Sequence, residues 1–315
     1  MTERTAAARP ATITNDGSSG PSRSLIWLAL GIVYVVWGST YLAIRYAVET
    51  MPPFLSAAAR FLVAGVLLAG LVAWRSGPSA LRVSPRQLGS AALVGLLLLV
   101  GGNGLVVLAE THIPSGLAAL LVASVPLWVI VLRLITRDRP TGRSVIGVLL
   151  GFAGLVVLTV PGISGQVKLS GVLLVLFGAL LWSLGSFGSS RLPMPANPFT
   201  ASSYEMLAGG LGDLALGLIR GEQHGLDVGA ISTASWLGLG YLIVFGSLIA
   251  FTAFAWLLQK APLSLVATYA YVNPVVAVFL GWLFLAEAVT WPIALGGAIV
   301  VAGVCVVVGS ESRSR

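Results

Sequence analysis

Charged side chains are scarce in this chain, at 9% of its 315 residues against about 25% in an average soluble domain. A water-exposed surface needs far more polar area than that, which excludes a soluble globular protein. Cysteine is almost missing too. Cys305 stands alone and has no partner for an internal disulfide. The two histidines, His112 and His224, lie well apart and outside the apolar runs, so no metal site is expected. A membrane-embedded enzyme would need a nucleophile–base pair or an Asp/His metal set within those runs, and the protein is not expected to be an enzyme. No G-x-x-x-x-G-K-[ST] run occurs, which argues against ATP as a direct driver. "GGNG" (Gly101–Gly104) follows no strand and is not a dinucleotide fingerprint. No cofactor is expected. The net charge of +7 comes from basic residues in short connectors without interleaved aromatics, so nucleic acid is not an expected partner.

What the chain has in abundance is apolar length. Hydrophobic residues make up 57% of it, in blocks of about twenty, the length at which a helix crosses a bilayer core. The blocks fall at 25–48, 54–74, 88–108, 115–135, 144–161, 169–189, 199–219, 234–258, 264–285 and 291–309. Turn signals such as Met51-Pro52-Pro53, Ile113-Pro114-Ser115 and Pro161-Gly162 separate them. Barrel strands would alternate apolar and polar residues, and these blocks do not. The expected fold is all-α and polytopic, with ten transmembrane helices. Residues 1–22 read as a disordered cytoplasmic tail. The first block runs too far past Leu25 for a signal-peptide core and reads as a retained span.

Ten spans put both termini on one side. If that side is the cytoplasm, its connectors and tails carry fourteen of the eighteen basic residues, among them Arg75, Arg82, Arg86, Arg133, Arg143 and Arg191. The opposite side carries three: Arg45, Lys168 and Arg220. The positive-inside bias therefore predicts a multi-pass cell-membrane protein with cytoplasmic termini.

A shift of 145 residues brings Trp37 onto Trp182, Pro53 onto Pro198 and Gly65 onto Gly210; near 148, Pro114 meets Pro262 and Pro126 meets Pro274. The chain thus divides into a first five-helix repeat at 23–162, a second at 163–309, and a short tail at 310–315. Five is odd, so the second repeat must enter the membrane from the opposite side. Inverted repeats of this kind are a hallmark of secondary transporters.

The same shift sets Arg60 opposite Glu205. An arginine within a span costs about 2.5–3.5 kcal/mol on insertion scales. Arg60 either snorkels to the membrane surface or faces a polar chamber. Asp213 lies at a similar depth, and the two are expected to pair or to part as a path opens. Glu205, too short to snorkel, is a candidate for proton exchange or solute contact, or a structural carboxylate bonded to Ser183 or Ser186. On span three, Asn103 and Glu110 share one face, with Glu110 at the helix end, where solvation is expected. Asp213, Glu110 and Glu205 are the candidates for coupling or gating, with protons as the candidate coupling ion. "WGSTY" places Trp37, Thr40 and Tyr41 on one face of span one. "WSLGS" offers Trp182 and Ser183 at the equivalent point of span six, and "TYAYVNP" aligns Tyr269 with Asn273. Such residues either join helices or line one chamber whose aromatic walls suit an amphipathic solute. Small-residue faces such as Gly147-x-x-x-Gly151 read as packing surfaces.

The stretches "WGSTYLAIRYAVETMPPFLSAAARFLVAG", "GGNGLVVLAETHIPSGLAALLVASVP" and "ATYAYVNPVVAVFLGWLFLAEAVTWP" resemble the EamA family of the drug/metabolite transporter superfamily, and within it the bacterial drug/metabolite exporter permeases. The resemblance covers about residues 25–309. It implies a central cavity between two inverted repeats and export of small metabolites, often amino acids or related compounds. It maps onto Trp37–Ser39, Arg60–Phe61, Tyr271–Val275 and the acidic Glu287. In the first repeat "TRDRP" (Thr136–Pro140) replaces the family's usual Gly-Glu, with Asp138 the nearest acid. The expected function is a secondary transporter working by alternating access on a small-molecule solute. A channel, a membrane-embedded enzyme or a non-transporting receptor is the alternative.

Overall fold

In a computed structural model, residues 22–136, 141–163, 167–261, 263–266 and 269–311 are described. The amino-terminal tail, Asp138, Pro262, Thr268 and the basic residues Arg4, Arg9, Arg137, Arg139, Arg313 and Arg315 lie outside them. The described residues form ten helical units and no strand, and six of the helices are long and apolar enough to cross a membrane. These are α1 (Arg23–Thr50), α2 (Pro53–Ser76), α3 (Pro85–Ala109), α4 (Ser115–Ile135) and α5 (Gly142–Ile163) in the first half. The second half holds α6 (Leu169–Ser189), α7 (Pro198–Ile219), α8 (Thr233–Lys260), α9 (Leu263–Val266 and Tyr269–Leu285) and α10 (Trp291–Glu311). Every expected span is present, extended by up to about three residues at its ends.

Local chemistry sets the helix starts. Pro53, Pro85 and Pro198 occupy first-turn positions where a missing N–H costs nothing. Ser84 and Gln87 form a reciprocal capping box on α3, and Asn197 caps α7 by accepting from Phe199 N at 2.9 Å. Large apolar side chains such as Trp74, Ile146, Leu149, Phe177, Val275 and Trp282 point outward. An exterior of this kind suits hydrocarbon and not water.

The two halves pack as a symmetric pair. α2 lies along α7 and α5 along α10, while α1 contacts α8 and α9 as α6 contacts α3 and α4. The symmetry extends to single atoms. A methyl group added to Gly65 would sit 3.0 Å from Leu207, and one added to Gly210 would sit 2.8 Å from Leu62, the same contact under the 145-residue shift. On the other face, Gly154 closes on Gly296 O and Val300 N as Gly303 closes on Gly147 O and Gly151 N. The Gly147–Gly151 face therefore packs α5 against α10, as small residues do where membrane helices approach closely.

Both halves also widen at the same place. Residues Leu96–Gly104 of α3 and Leu242–Phe251 of α8 are π-helical, beginning at equivalent positions. Such segments loosen the backbone ladder and occur mostly at functional sites. They flank the centre of the bundle.

Candidate functional site

Between the two π-helical segments lies a cavity of about 60 Å³. Trp37, Thr40 and Tyr41 of α1, Arg60 of α2, Asn103 of α3, Trp182 of α6, and Tyr269 and Asn273 of α9 all border it. Eight residues singled out in the sequence thus meet around one space drawn from both halves. Its volume is well short of the roughly 300 Å³ of a small drug-sized site, so the chamber is contracted.

The polar and aromatic ends of the chamber differ. Arg60 lies seven residues into α2 and Asn103 six residues before the end of α3. At 1.5 Å per residue, both sit about 9–10 Å from the bundle end remote from the termini. Arg60 Nε donates to Ser247 Oγ at 2.8 Å and its Nη1 to Asn103 Oδ1 at 3.3 Å, tying α2 to both π-helical segments. Nearer the termini, Trp37 packs against Trp182, Phe254 and Tyr269 with ring centroids 4.8–5.5 Å apart. Trp37 Nε1 donates to Gly246 O at 3.2 Å, within the widened turns of α8. The rings lie on the termini side of the chamber. A narrower space shares Ile44 and Arg60 with it and continues toward the remote end past Ala47, Ser56 and Val107.

Several of these groups are held by local bonds. Thr40 Oγ1 donates to Trp37 O at 2.7 Å. The Asn273 amide, turned to suit its neighbours, donates to Tyr269 O at 3.2 Å and Tyr34 O at 3.0 Å, joining α9 to α1 one residue before Pro274. Pro274 removes the hydrogen bond that would otherwise occupy a carbonyl one turn back.

Other expectations land elsewhere. Ser183 points away from the chamber and donates to Ala179 O at 2.7 Å and Val125 O at 3.1 Å, which fixes α6 to α4. Glu205 is not in the lining either. Its backbone closes on Gly95 where α7 crosses α3, and its Oε2 has no partner, so neither Ser183 nor Ser186 holds it. Asp213 does not pair with Arg60: both of its carboxylate oxygens lack a partner, and Oδ1 lies against Gly104. The guanidinium turns instead to Ser247 and Asn103. Glu110, expected in solvent, is 0% exposed, because α1 folds over the end of α3 and Arg45 Nη1 donates to the Glu110 carbonyl at 2.5 Å. Burial first, then the neighbouring Glu287 charge, hold the Glu110 carboxyl well above its ordinary range, with Arg45 opposing. Glu287 has a structural task. Its oxygens accept from Ser115 N (2.8 Å), Ser115 Oγ (2.9 Å) and Gly116 N (3.0 Å), capping α4.

Sequence reasoning missed Ser247 and Phe254. The Gly246-Ser247 pair is a small, polar interruption in the apolar run of α8, a signal that was there to read. Phe254 carries no such signal, since nothing separates it from an ordinary lipid-facing phenylalanine.

Comparison with known proteins agrees with this architecture. The family model of the EamA-like transporter family matches residues 24–160 and 169–309. The uncharacterized inner membrane transporter YedA of Escherichia coli is 40% identical over 256 residues, covering 80% of each chain. An uncharacterized transporter of Archaeoglobus fulgidus is 25% identical over 90% of this chain and 98% of its own. A WAT1-related chloroplastic protein of Arabidopsis thaliana is 25% identical over 92% of this chain and 71% of its own. One solved structure superposes with a TM-score of 0.66 over 93% of this chain at 21% identity, which is a likeness of fold. With ten helices, a twofold packing scheme and both halves matched by one family, the chain belongs to the EamA-like transporter family of the drug/metabolite transporter superfamily.

Proposed function

We propose that this protein exports a small amphipathic metabolite across the cell membrane by alternating access, as a secondary transporter. One observation carries the reading: the chamber takes its walls from equivalent helices of both halves, Trp37 and Trp182 included. In such an arrangement, rocking one half against the other exposes a fixed site to either side. With the termini in the cytoplasm, the aromatic rings lie on the cytoplasmic side and the Arg60 end faces outward. Apolar walls with few polar groups suit an organic solute with a flat or branched body and one polar head.

Counterflow in liposomes of purified protein tests this. Solute trapped inside is expected to stimulate saturable entry of labelled solute, and Trp37→Ala is expected to reduce it at least about tenfold. Single-channel currents in place of saturable counterflow would assign a channel. Running each solute with and without a pH gradient decides whether protons are exchanged, and Glu205→Gln and Asp213→Asn locate the carboxylate that carries them.

A further inference from the structure

Among the described residues that line the chamber, Arg60 carries the one formal charge and none is a carboxylate. Arg60 is 4% exposed. A guanidinium has five N–H donors, and here two bonds are made, to Ser247 and Asn103, both neutral acceptors. Among the described residues Nη2 makes none; it packs close to Gly246, where an added methyl would stand only 3.0 Å from it. A buried cation without a hydrogen-bonded anion is costly in a low-dielectric interior.

The buried carboxyl at a similar depth is Asp213 on α7. It is 0% exposed, neither oxygen has a partner, and it stands against Gly104, the residue after the Asn103 that Arg60 contacts. Among the described residues no hydrogen bond joins Asp213 to Arg60, and the Arg60 donors not taken by Ser247 and Asn103 stay free.

We propose that the solute is a net anion, an apolar acid whose carboxylate seats on the spare Arg60 donors while its body lies against Trp37, Trp182 and Tyr269. A planar carboxylate matches the guanidinium fork. A zwitterion is the poorer fit, because its ammonium would find no carboxylate in the lining. This rests on the reading of the chamber as a transport site and adds to it the charge of the cargo.

The test is isothermal titration calorimetry of the purified full-length protein in detergent. The probes are 3-phenylpropionate, 3-phenylpropionamide, phenylalanine and 2-phenylethylamine, which share a ring and differ in charge. The acid is expected to bind at least about tenfold more tightly than the amide or the amine, and more tightly than phenylalanine. Arg60→Gln is expected to erase the preference for the acid, and Arg60→Lys to keep part of it. Equal or tighter binding of the amide, amine or zwitterion overturns the anion seat while leaving the chamber intact as a transport site. Binding of none of the four also overturns it. Counterflow with other solutes then judges the transport reading separately.

Discussion

Arg60 and Glu205 occupy the same position in the two halves of the molecule, and their surroundings have diverged. The helices that carry them, α2 and α7, make matching glycine–leucine contacts, Gly65 on Leu207 and Gly210 on Leu62. At the two charges the symmetry stops. Arg60 reaches the chamber and bonds Ser247 and Asn103, whereas Glu205 stays beneath Gly95, outside it. Packing must be matched for two halves to exchange conformations. The proposed site between them need not be, if the cargo is an asymmetric solute.

Breaking the matched packing gives the largest expected effect. An alanine at Gly303 would place its methyl 2.5 Å from Gly151 N and 2.7 Å from Gly147 O, and one at Gly154 would lie 2.7 Å from Val300 N. Backbone atoms at that range cannot turn aside, so Gly303→Ala and Gly154→Ala are each expected to cost about 1–3 kcal/mol. Thermal unfolding in detergent should show similar losses for the two. A loss in only one would mean that the halves are not mechanically equivalent.

Next in size is the functional asymmetry. Arg60→Ala is expected to lower counterflow at least about tenfold, whereas Glu205→Gln should leave it within about twofold and leave any proton coupling unchanged. A coupling lost in Glu205→Gln would restore that carboxylate to the transport cycle despite its distance from the lining.

Glu110 offers a pH-dependent comparison with the solvent-facing carboxylates. Its carboxyl is held above its ordinary range, so the folded state favours the protonated form. The stabilisation is complete below the ordinary carboxylate range and fades as pH rises toward the raised value. Glu110→Gln should therefore raise the unfolding temperature more at pH 8 than at pH 5. An equal shift at both would mean that Glu110 is charged, paired or hydrated.

Much of this was legible in the chain because bilayers impose simple rules. Apolar blocks of fixed length gave all ten helices, and the matched prolines and glycines disclosed the repeat. Residues such as Trp37, Arg60 and Asn273 were legible as polar or charged groups that lipid does not tolerate cheaply. The depth of a residue was legible too, from its distance to the helix end. Its direction was not. Ser183 and Glu205 are at suitable depths, but Ser183 bonds α4 and Glu205 lies outside the lining, because the azimuth of a helix buried on several sides depends on neighbours far away in sequence. Glu110 misled for a related reason: a helix end reads as exposed until another element, here α1 with Arg45, covers it. The π-helical turns of α3 and α8 shift the face presented by every later residue, a change that a regular 3.6-residue period does not capture.

Two turns at the remote end make a finer comparison. Gly221, with φ 75°, precedes Glu222, whose Oε2 accepts from Phe54 N and Leu55 N at 3.0 Å and caps α2. Ala286, with φ 51°, precedes Glu287, which caps α4 in the same manner. In both, a left-handed residue swings a carboxylate over a helix N-terminus, where it meets free N–H groups and the positive end of the dipole. Glycine takes this conformation freely, but a Cβ costs about 1–2 kcal/mol there, partly offset by the smaller entropy loss of alanine on folding. Ala286→Gly should therefore stabilise the protein by about 0.5–1 kcal/mol, and Gly221→Ala should destabilise it by a similar amount, with transport unchanged. Glu287→Gln tests the purpose of the turn: if the cap is what holds Ala286 in place, the gain from Ala286→Gly should shrink in the Glu287→Gln background, because the two residues then no longer act as a unit.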